Sequence, residues 1–338
     1  MADIKPSVFA TRRLPAPVEA RMATLFDARF NEGDQPLDAE ALLAGLGQRE
    51  VLVASITDRL DAALIARFPE TLKLIAQFGN GVDNIDVEAA YARGLTVTNT
   101  PSVLTEDTAD MAMALLLSLP RRLVEGAENL IREGNWPGWS PNWMLGRRLR
   151  GKALGIIGLG RIGTAVAQRA RAFGLVLHYY SRHRRPPQLE ASLEATYWDD
   201  LDAMLGAVDI ASLHTPLTRD THHILDARRL ALMRQDAFVV NVSRPELIEE
   251  PALIGEIERG HLSGAALDVF DNRDGINPRL LALARSGKVV LTAHMASATL
   301  EARIEMGETV IVNIRDFFDS GAPPQRVLPE SRGRPATR

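Results

Sequence analysis

The sequence predicts an α/β protein with two doubly wound, mainly parallel sheets. Short, strongly apolar runs alternate with helix-like stretches, and this alternation occurs twice along the 338 residues. Runs that are apolar on both faces are typical of parallel strands covered by helices on each side. A chain of this length also suggests about two domains. We therefore expect two Rossmann-like domains, of which the first is flavodoxin-like.

The predicted elements form one series in each half of the chain. The strands of the first half are Val8–Ala10, Val51–Ser55, Leu72–Phe78 and Leu95–Thr98, with helices at Val18–Phe26, Ala39–Leu46, Asp61–Arg67 and Val87–Arg93. The strands of the second half are Ala153–Ile157, Val176–Tyr180, Asp209–His214, Ala237–Val242, Gly264–Val269 and Val289–Thr292. A helical stretch from Glu106 to Ile131, broken near Pro120, joins the two series.

A further helix is expected at Leu300–Phe318, after the last strand. In one topology it returns the chain to the first domain. That topology predicts a discontinuous domain of residues 1–103 and 296–338 and a second domain of residues 104–295.

Composition excludes several classes of function. The formal net charge is −4 and no long basic block occurs, so neither nucleic acid nor a membrane is expected as a partner. The chain has no cysteine, which excludes disulfides, thiolate catalysis and thiolate metal sites, and no metal site is expected. Met1–Thr11 lacks the apolar core of a signal peptide, and the longest apolar run, Met111–Leu119, is too short to span a bilayer. A cytoplasmic protein is expected.

A glycine-rich turn follows the predicted strand Ala153–Ile157. Its residues are Gly158, Leu159, Gly160, Arg161, Ile162 and Gly163, and a predicted helix begins after it. In a strand–turn–helix context, G-x-G-x-x-G allows a tight turn, a close approach of the backbone to a diphosphate, and tight helix–strand packing. The diphosphate then lies at a helix N-terminus. The turn predicts a dinucleotide site; the alternative is a glycine-rich turn without a ligand.

The segment after the next strand indicates which dinucleotide binds. Sites for NAD commonly place a carboxylate there, whereas this chain has Tyr180, Ser181, Arg182, His183, Arg184 and Arg185. Arg182, with Ser181 as a hydrogen-bonding partner, suits a 2′-phosphate, and Arg184 or Arg185 adds charge. The segment favours NADP(H) over NAD(H). The alternative is a solvated basic loop that still accepts NAD.

Several blocks together resemble the D-isomer-specific 2-hydroxyacid dehydrogenases, within the glyoxylate/hydroxypyruvate reductase branch. The resemblance covers nearly the whole chain. The blocks are the loop Phe78–Asp86, the cofactor turn Leu159–Gly163, the loop His214–Thr218, the segment Ala266–Phe270, and His294–Thr299. The resemblance implies reduction of small 2-keto acids to D-2-hydroxy acids by hydride transfer from NAD(P)H. It makes residues 1–103 and 296–338 the substrate-binding domain and residues 104–295 the NAD(P)-binding domain.

The resemblance also implies roles for particular residues. Backbone amides near Asn80 and Gly81 hold the substrate carboxylate, and Arg244 clamps the carboxylate and keto oxygen. His294 is the general acid that protonates the keto oxygen, and Asp268 is expected near the nicotinamide carboxamide. The alternatives are a surface or capping residue for Arg244, a satisfied histidine at a strand end for His294, and a helix or loop anchor for Asp268.

Further residues are candidates by the same resemblance. Expected beside the cofactor are His214, which is not expected to transfer a proton, Pro216, Thr221 and Val242. In the family the loop Trp136–Trp143 lies in a dimer interface, and Trp143 matches a tryptophan that can enter the partner's substrate site. The alternative for Trp143 is core or interface packing. A C2 homodimer is expected.

The catalytic segment departs from the family pattern. The family pairs its histidine with a glutamate five residues after the position of Asp268, and Arg273 stands there. A neighbouring cation disfavours the histidine's acid form, unless Asp271 or Asp274 substitutes or Arg273 points outward. If Arg273 does take the glutamate's place, Arg273→Glu should raise the rate. A second departure is Pro245, where glycine usually follows the arginine, and the orientation of Arg244 could differ. The alternative function is an NAD(P)-binding regulatory or interaction protein whose dehydrogenase activity is weak or lost.

Overall fold

A computed structural model describes residues 5–136 and 138–329. The chain falls into two compact units. The first unit contains the residues up to Leu104 together with those from Ala298 onward, and the second contains Thr105–Ser297. The first unit is therefore discontinuous in sequence.

The first unit contains a six-stranded sheet with helices on both faces. Its strands are β1 (Ser7–Ala10), β2 (Asp27–Phe30), β3 (Val51–Ser55), β4 (Leu74–Phe78), β5 (Thr96–Thr98) and β13 (Arg326–Val327). Its helices are α1 (Ala16–Leu25), α2 (Ala39–Leu46), α3 (Ala62–Ala66), α4 (Val87–Ala92) and α13 (Leu300–Ser320). The strand order is β13-β5-β4-β3-β1-β2, and all pairs are parallel except β13 with β5. Without β13, this is the flavodoxin-like order.

Helix starts in the first unit follow from local sequence. Asp38, Asp61 and Asp86 each precede a helix, and each side chain accepts a hydrogen bond from an amide of that helix's first turn. Two apolar clusters, one on each face, cover the sheet. The sheet is therefore buried on both sides, which explains why its inner strands β1, β3 and β4 are mostly apolar.

The second unit contains a seven-stranded sheet in which every described pair is parallel. Its strands are β6 (Ala153–Ile157), β7 (Val176–Tyr180), β8 (Ala195–Trp198), β9 (Ile210–Leu213), β10 (Phe238–Asn241), β11 (Gly264–Leu267) and β12 (Val289–Leu291). Its helices are α5 (Thr105–Ser118), α6 (Leu123–Glu133), α7 (Arg161–Ala172), α8 (Pro187–Leu193), α9 (Leu201–Ala207), α10 (Ala227–Leu232), α11 (Glu250–Glu258) and α12 (Pro278–Arg285), with a short 3-10 helix at Pro245–Leu247. The strand order is β12-β11-β10-β9-β6-β7-β8.

This order is that of a Rossmann fold with one additional strand, so the predicted fold class is confirmed for both units. The order reverses between β6 and β9. In open α/β sheets, ligands bind beyond the carboxyl ends of strands at such a switch point. The strand order therefore predicts a ligand-binding site at the segments that follow β6 and β9.

The predicted elements differ from the structure at the sheet edges and in one helix. The stretch from Glu106 to Ile131 is two helices, α5 and α6, and Arg122 between them has a left-handed φ of 54°. The break near Pro120 is thus confirmed. Strands β2, β8 and β13 were not predicted. Edge strands have one unpaired side, and the half-exposed, partly polar residues of β2 and β8 give no apolar run to detect.

Candidate active site

The glycine turn joins the end of β6 to the start of α7. Gly158 has a φ of 98°, and a Cβ there would lie 2.8 Å from the carbonyl oxygen of His214. At Gly163 a Cβ would collide with the carbonyl oxygen of Gly158. Both glycines are therefore required by the packing of the turn itself.

The middle glycine is different, because no atom of the described part of the chain lies within 4 Å of where a Cβ would stand on Gly160. The open space lies at the N-terminus of α7, where the first amides of a helix have no partner within the helix. Arg161, Ile162 and Gly163 supply those amides. An open glycine beside unpaired helix amides fits a diphosphate.

The segment after β7 contains one cation that is fixed and others that are not. Arg184 forms a two-pronged ion pair with Glu190, at 2.9 and 2.8 Å, and the Tyr179 hydroxyl donates to the same carboxylate. Arg184, then Tyr179, lower the pKa of Glu190 to about 2. Burial, followed by the contact with Glu190, raises the pKa of Tyr179 to about 12. The charge of Arg184 is therefore already neutralised.

Ser181 and Arg182 lie where the first residues after β7 meet the glycine turn. The Ser181 hydroxyl accepts a hydrogen bond of 2.9 Å from the Leu159 amide, which ties the turn to β7 and leaves the hydroxyl proton to donate elsewhere. Arg182 and Arg185 are exposed, and within the described residues neither guanidinium has a hydrogen-bonding or ionic partner. Arg182 is the first of these cations after the strand.

His214 follows β9 and is buried. Its amide donates to the carbonyl of Ile157 at 2.8 Å, and its Nε2 lies 2.8 Å from the Ser212 hydroxyl. Its buried Nδ1 has no hydrogen-bond partner among the described residues. Burial lowers the pKa of His214 to about 4. The imidazole is therefore neutral near pH 7. In the loop after it, the Thr221 hydroxyl donates to the Pro216 carbonyl at 2.7 Å and accepts from the Thr218 amide.

Arg244 follows β10 and is held by its neighbours. The buried Asn241 donates to the Arg244 carbonyl at 2.8 Å, and the Ser243 hydroxyl donates to the Leu213 carbonyl at 2.9 Å. Arg244 has φ −142° and ψ 143°, the extended conformation that a following proline favours, and Pro245 begins the short 3-10 helix. Pro245 is thus compatible with this backbone rather than disruptive.

His294 lies just beyond β12, in a loop that is organised by Asp268. The Asp268 side chain is fully buried and accepts from the Thr292 hydroxyl at 2.6 Å and from the amides of Met295 and Ala296 at 2.9 Å each. The His294 amide donates to the Asp268 carbonyl at 2.9 Å, and His294 has a left-handed φ of 49°. A non-glycine residue in this region stores strain, which the Asp268 contacts hold in place.

Arg273, in the position where the resemblance implies a glutamate, points into solvent. Its guanidinium binds Asp271 through two hydrogen bonds of 2.9 and 2.6 Å, and its side chain is 80% exposed. The Arg273 contact lowers the pKa of Asp271 to about 2. Of the arrangements considered from the sequence, the structure shows the outward one, with Arg273 neutralised locally by Asp271.

The candidate residues of the second unit lie at one edge of its sheet. Gly158, His214, Arg244, Asp268 and His294 each come after the carboxyl end of one of the adjacent strands β6, β9, β10, β11 and β12. Val242, two residues before Arg244, is buried in the core below this edge. Asn80 and Gly81 belong to the first unit, in the half-buried loop that follows β4.

The tryptophan segment is exposed and lies beside α6. Pro137 lies outside the described residues, whereas Trp136, Trp139 and Trp143 are all exposed. None of the residues of α6 is buried, and a groove of about 430 Å³ separates part of this helix from Trp136 and Trp143. In this single chain Trp143 is therefore not a core residue.

From the sequence we did not identify several residues whose side chains hydrogen-bond the loops that carry the candidate site residues. They are Asn241, Ser243 and Ser212 in the second unit and Gln77 and Asn99 in the first. A polar residue within an otherwise apolar strand was the available signal for Gln77, Ser212 and Asn241. Within residues 5–136 and 138–329, no helix is long and apolar enough to cross a membrane, and no group of His, Asp and Glu side chains could hold a metal ion.

Comparisons with known proteins agree with this geometry. A family model described as "D-isomer specific 2-hydroxyacid dehydrogenase, NAD binding domain" matches residues 113–296. The glyoxylate reductase of Thermococcus litoralis is 41% identical over 96% of this chain and 97% of its own length. A crystal structure of an NADPH-dependent glyoxylate/hydroxypyruvate reductase from Sinorhizobium meliloti, with NADP and malonate, is 33% identical. It covers 96% of this chain and 97% of that one, with a TM-score of 0.83.

A second solved structure is similar over the same length. It is a putative D-isomer-specific 2-hydroxyacid dehydrogenase from Polaromonas, 39% identical, with a TM-score of 0.88, covering 96% of this chain and 99% of that one. Full-length similarity at this level, together with the strand order and the glycine turn, identifies the family. The chain belongs to the D-isomer-specific 2-hydroxyacid dehydrogenase family and is an NAD(P)-dependent oxidoreductase.

Proposed function

We propose that this chain reduces small 2-keto acids of the glyoxylate or hydroxypyruvate type to D-2-hydroxy acids. The observation that carries the proposal is the continuous hydrogen bonding along the carboxyl edge of the second sheet. His214 bonds to Ile157, Ser243 to Leu213, Asp268 to Asn241, and His294 to Asp268. This network fixes the glycine turn, Arg244 and His294 relative to one another. Relatives named glyoxylate reductase, 38–41% identical over nearly the full chain, support the choice of substrate.

The residues divide the chemistry as follows. The hydride for the keto carbon would come from a reduced nicotinamide, held through its diphosphate at the start of α7. His294 in its protonated form donates a proton to the keto oxygen, so that the carbonyl becomes a hydroxyl. Arg244 binds the substrate carboxylate and keto oxygen through its planar guanidinium, and the amides of Asn80 and Gly81 bind the carboxylate. The neutral His214 takes no part in proton transfer.

The amides at the start of α7 would hold the cofactor diphosphate, beside the open face of Gly160. Pro216, Thr221, Val242 and Asp268 remain our candidates for the nicotinamide side. Asp268 already uses both carboxylate oxygens within the protein, so its main effect on the cofactor is to hold the loop of His294.

We propose NADP(H) as the preferred cofactor. Arg184 is bound by Glu190, which leaves Arg182 and Arg185, and Arg182, next to Ser181, is our candidate for the 2′-phosphate. Arg182→Ala should lower kcat/KM with NADPH by about ten- to hundredfold, the loss of a hydrogen bond between charged groups, and leave the NADH value nearly unchanged. Arg285→Ala, an arginine at the end of α12, is the matched control. Equal loss with both cofactors would contradict a 2′-phosphate role.

We also propose a homodimer that buries α6 and the tryptophan segment. The apolar side chains Leu123, Leu130 and Ile131 of α6 are exposed, Ile131 by 82%. An exposed apolar surface of this kind is typical of an interface, and it places Trp143 where a partner subunit can contact it. Ile131→Glu should give a monomer in analytical ultracentrifugation, whereas Leu232→Glu, at an exposed position of α10, should leave the dimer intact. A wild-type monomer would contradict the proposal.

A cytoplasmic location remains a prediction.

The direct test of the activity is turnover with a panel of 2-keto acids. NADPH oxidation should follow the addition of glyoxylate or hydroxypyruvate, and an enantiospecific assay should find D-glycerate as the product from hydroxypyruvate. Turnover with no member of the panel, in the presence of bound cofactor, would refute the proposal. L-glycerate as the product would refute its stereochemical part.

A further inference from the structure

The loop after β4 carries a row of carbonyl groups that are all held from within the first unit. The Gly79 carbonyl accepts from the Thr100 amide at 3.0 Å, and the Asn80 carbonyl accepts from the Asn99 side chain at 2.7 Å. The Gly81 carbonyl accepts from the side chain of Gln77 at 3.3 Å. Consecutive carbonyls are thus fixed by three separate donors.

Fixing a carbonyl also fixes the next amide. The C=O and N–H of one trans peptide unit are coplanar and point in opposite directions. Donors that hold the carbonyls of residues 79, 80 and 81 therefore also set the directions of the amides of Asn80, Gly81 and Val82. Within the described residues, these amides donate to no protein acceptor. Successive free amides on one side form a concave anion site.

Asn99 is the best-anchored of the donors. Its amide donates to the Gln325 carbonyl at 3.2 Å, and its own carbonyl accepts from the side chain of Asn313 at 3.1 Å. Asn313 is fully buried in α13 and also accepts from the Gln325 amide at 3.2 Å. The position of Asn99 is therefore set by the C-terminal helix and the segment after it.

We infer that Asn99 is a positioning residue for the substrate carboxylate: its side chain holds the Asn80 carbonyl so that the Gly81 amide faces the anion. This inference rests on the proposed function, because it assumes that the carboxylate binds at this loop. Asn99 is a neutral donor, which adds no charge that would repel an anion. The C-terminal helix, through Asn313, thereby contributes to substrate binding at a loop more than 200 residues earlier in sequence.

The test compares two asparagines of the same unit. Asn99→Ala should raise the KM for glyoxylate and the dissociation constant of oxalate, measured by calorimetry with NADPH present, by roughly tenfold, with a smaller change in kcat. That factor corresponds to one hydrogen bond to a charged group. Asn31→Ala is the control, because Asn31 also donates to backbone carbonyls, those of Thr11 and Gln35, but follows β2 at the far edge of the sheet. It should lower stability without changing oxalate affinity.

A second variant separates the loss of the hydrogen bond from the loss of side-chain volume at position 99. Asn99→Leu keeps most of the side-chain volume and has no donor, so it should match Asn99→Ala in oxalate affinity, and it serves alone if the alanine variant does not fold. NADPH affinity should be unchanged in both. The inference is overturned if both variants bind oxalate as the wild type does. If instead the wild type reduces no 2-keto acid while oxalate affinity still depends on Asn99, the proposed function fails and the positioning role stands.

Discussion

Two histidines at the same edge of the second sheet differ in almost every property that matters for proton transfer. His214 follows β9, is buried, contacts Ser212, and has a pKa lowered to about 4 by that burial. His294 follows β12, has an exposed side chain, and is held through its backbone by Asp268. His214 is fixed in the core by burial and by its contact with Ser212, whereas His294 stands on a loop that Asp268 organises.

The same sheet edge therefore keeps one histidine neutral by burial and carries the other with an exposed side chain. Desolvation disfavours the charged imidazole at His214, so it cannot donate a proton near pH 7. His294 instead has an exposed side chain on a loop that the buried Asp268 holds in place. Two carboxylates sharpen the contrast, because Asp268 is buried and organises that loop, whereas Asp271 is exposed and neutralises Arg273.

The largest effect is expected at Asp268. Asp268→Asn should lower kcat/KM by about a hundredfold or more, because an amide nitrogen would face the Met295 or Ala296 amide and release the loop of His294. It should also lower the free energy of unfolding by roughly 3 kcal/mol, as buried donors lose their acceptor. Steady-state kinetics and urea unfolding measure the two effects.

Asp271→Asn is the matched control for that variant, since it alters an exposed carboxylate three residues further along the same segment. Its kcat/KM should stay within about threefold of the wild type. Equal losses in the two variants would mean that Asp268 has no special connection with His294.

His214 should dominate a pH effect on stability. In the unfolded chain a histidine binds a proton below about pH 6.5, whereas folded His214 remains neutral down to about pH 4. The unfolded state therefore binds more protons in this window, and stability falls as the pH falls through it, by up to roughly 3 kcal/mol from this group. Urea unfolding at pH 7 and pH 5 should show a smaller difference for His214→Gln than for the wild type. An identical pH dependence in both proteins would contradict the neutral, buried assignment.

Arg273 should have the smallest effect. Because its guanidinium lies in solvent against Asp271, Arg273→Glu should change kcat by less than about threefold, in contrast to the increase expected if Arg273 took the place of the family's glutamate. Steady-state kinetics with glyoxylate measures the change. A gain of tenfold or more would show that a carboxylate at position 273 does reach His294.

The sequence was sufficient for the fold class and for the residues at the sheet edge. The alternation of apolar runs with helix-like stretches and the glycine turn are local signals, and Gly158 and Gly163 are required for local steric reasons. The sequence could not show where the side chain of Arg273 points, because a residue position does not specify a rotamer or a partner. It also could not show that Asn313 supports Asn99, since that contact joins segments far apart in the chain.

The edge strands could not be predicted either, because they also depend on contacts between distant segments. β2 and β8 are half-exposed, and β13 pairs through only two residues, so their existence depends on neighbours rather than on their own apolar pattern. The hydrogen bond between Ser181 and Leu159 could not be predicted from the sequence for the same reason, because it forms only when the fold brings the turn and the strand together.

The proposed reduction depends most on His294 as the proton donor. The most direct measurement is the rate of NADPH oxidation with saturating glyoxylate for the wild type, His294→Gln and His214→Gln. We expect kcat to fall by about 10²- to 10⁴-fold in His294→Gln, the usual contribution of a general acid, and by less than tenfold in His214→Gln. If His294→Gln keeps the wild-type kcat, or if His214→Gln loses more of its kcat than His294→Gln does, then His294 is not the proton donor.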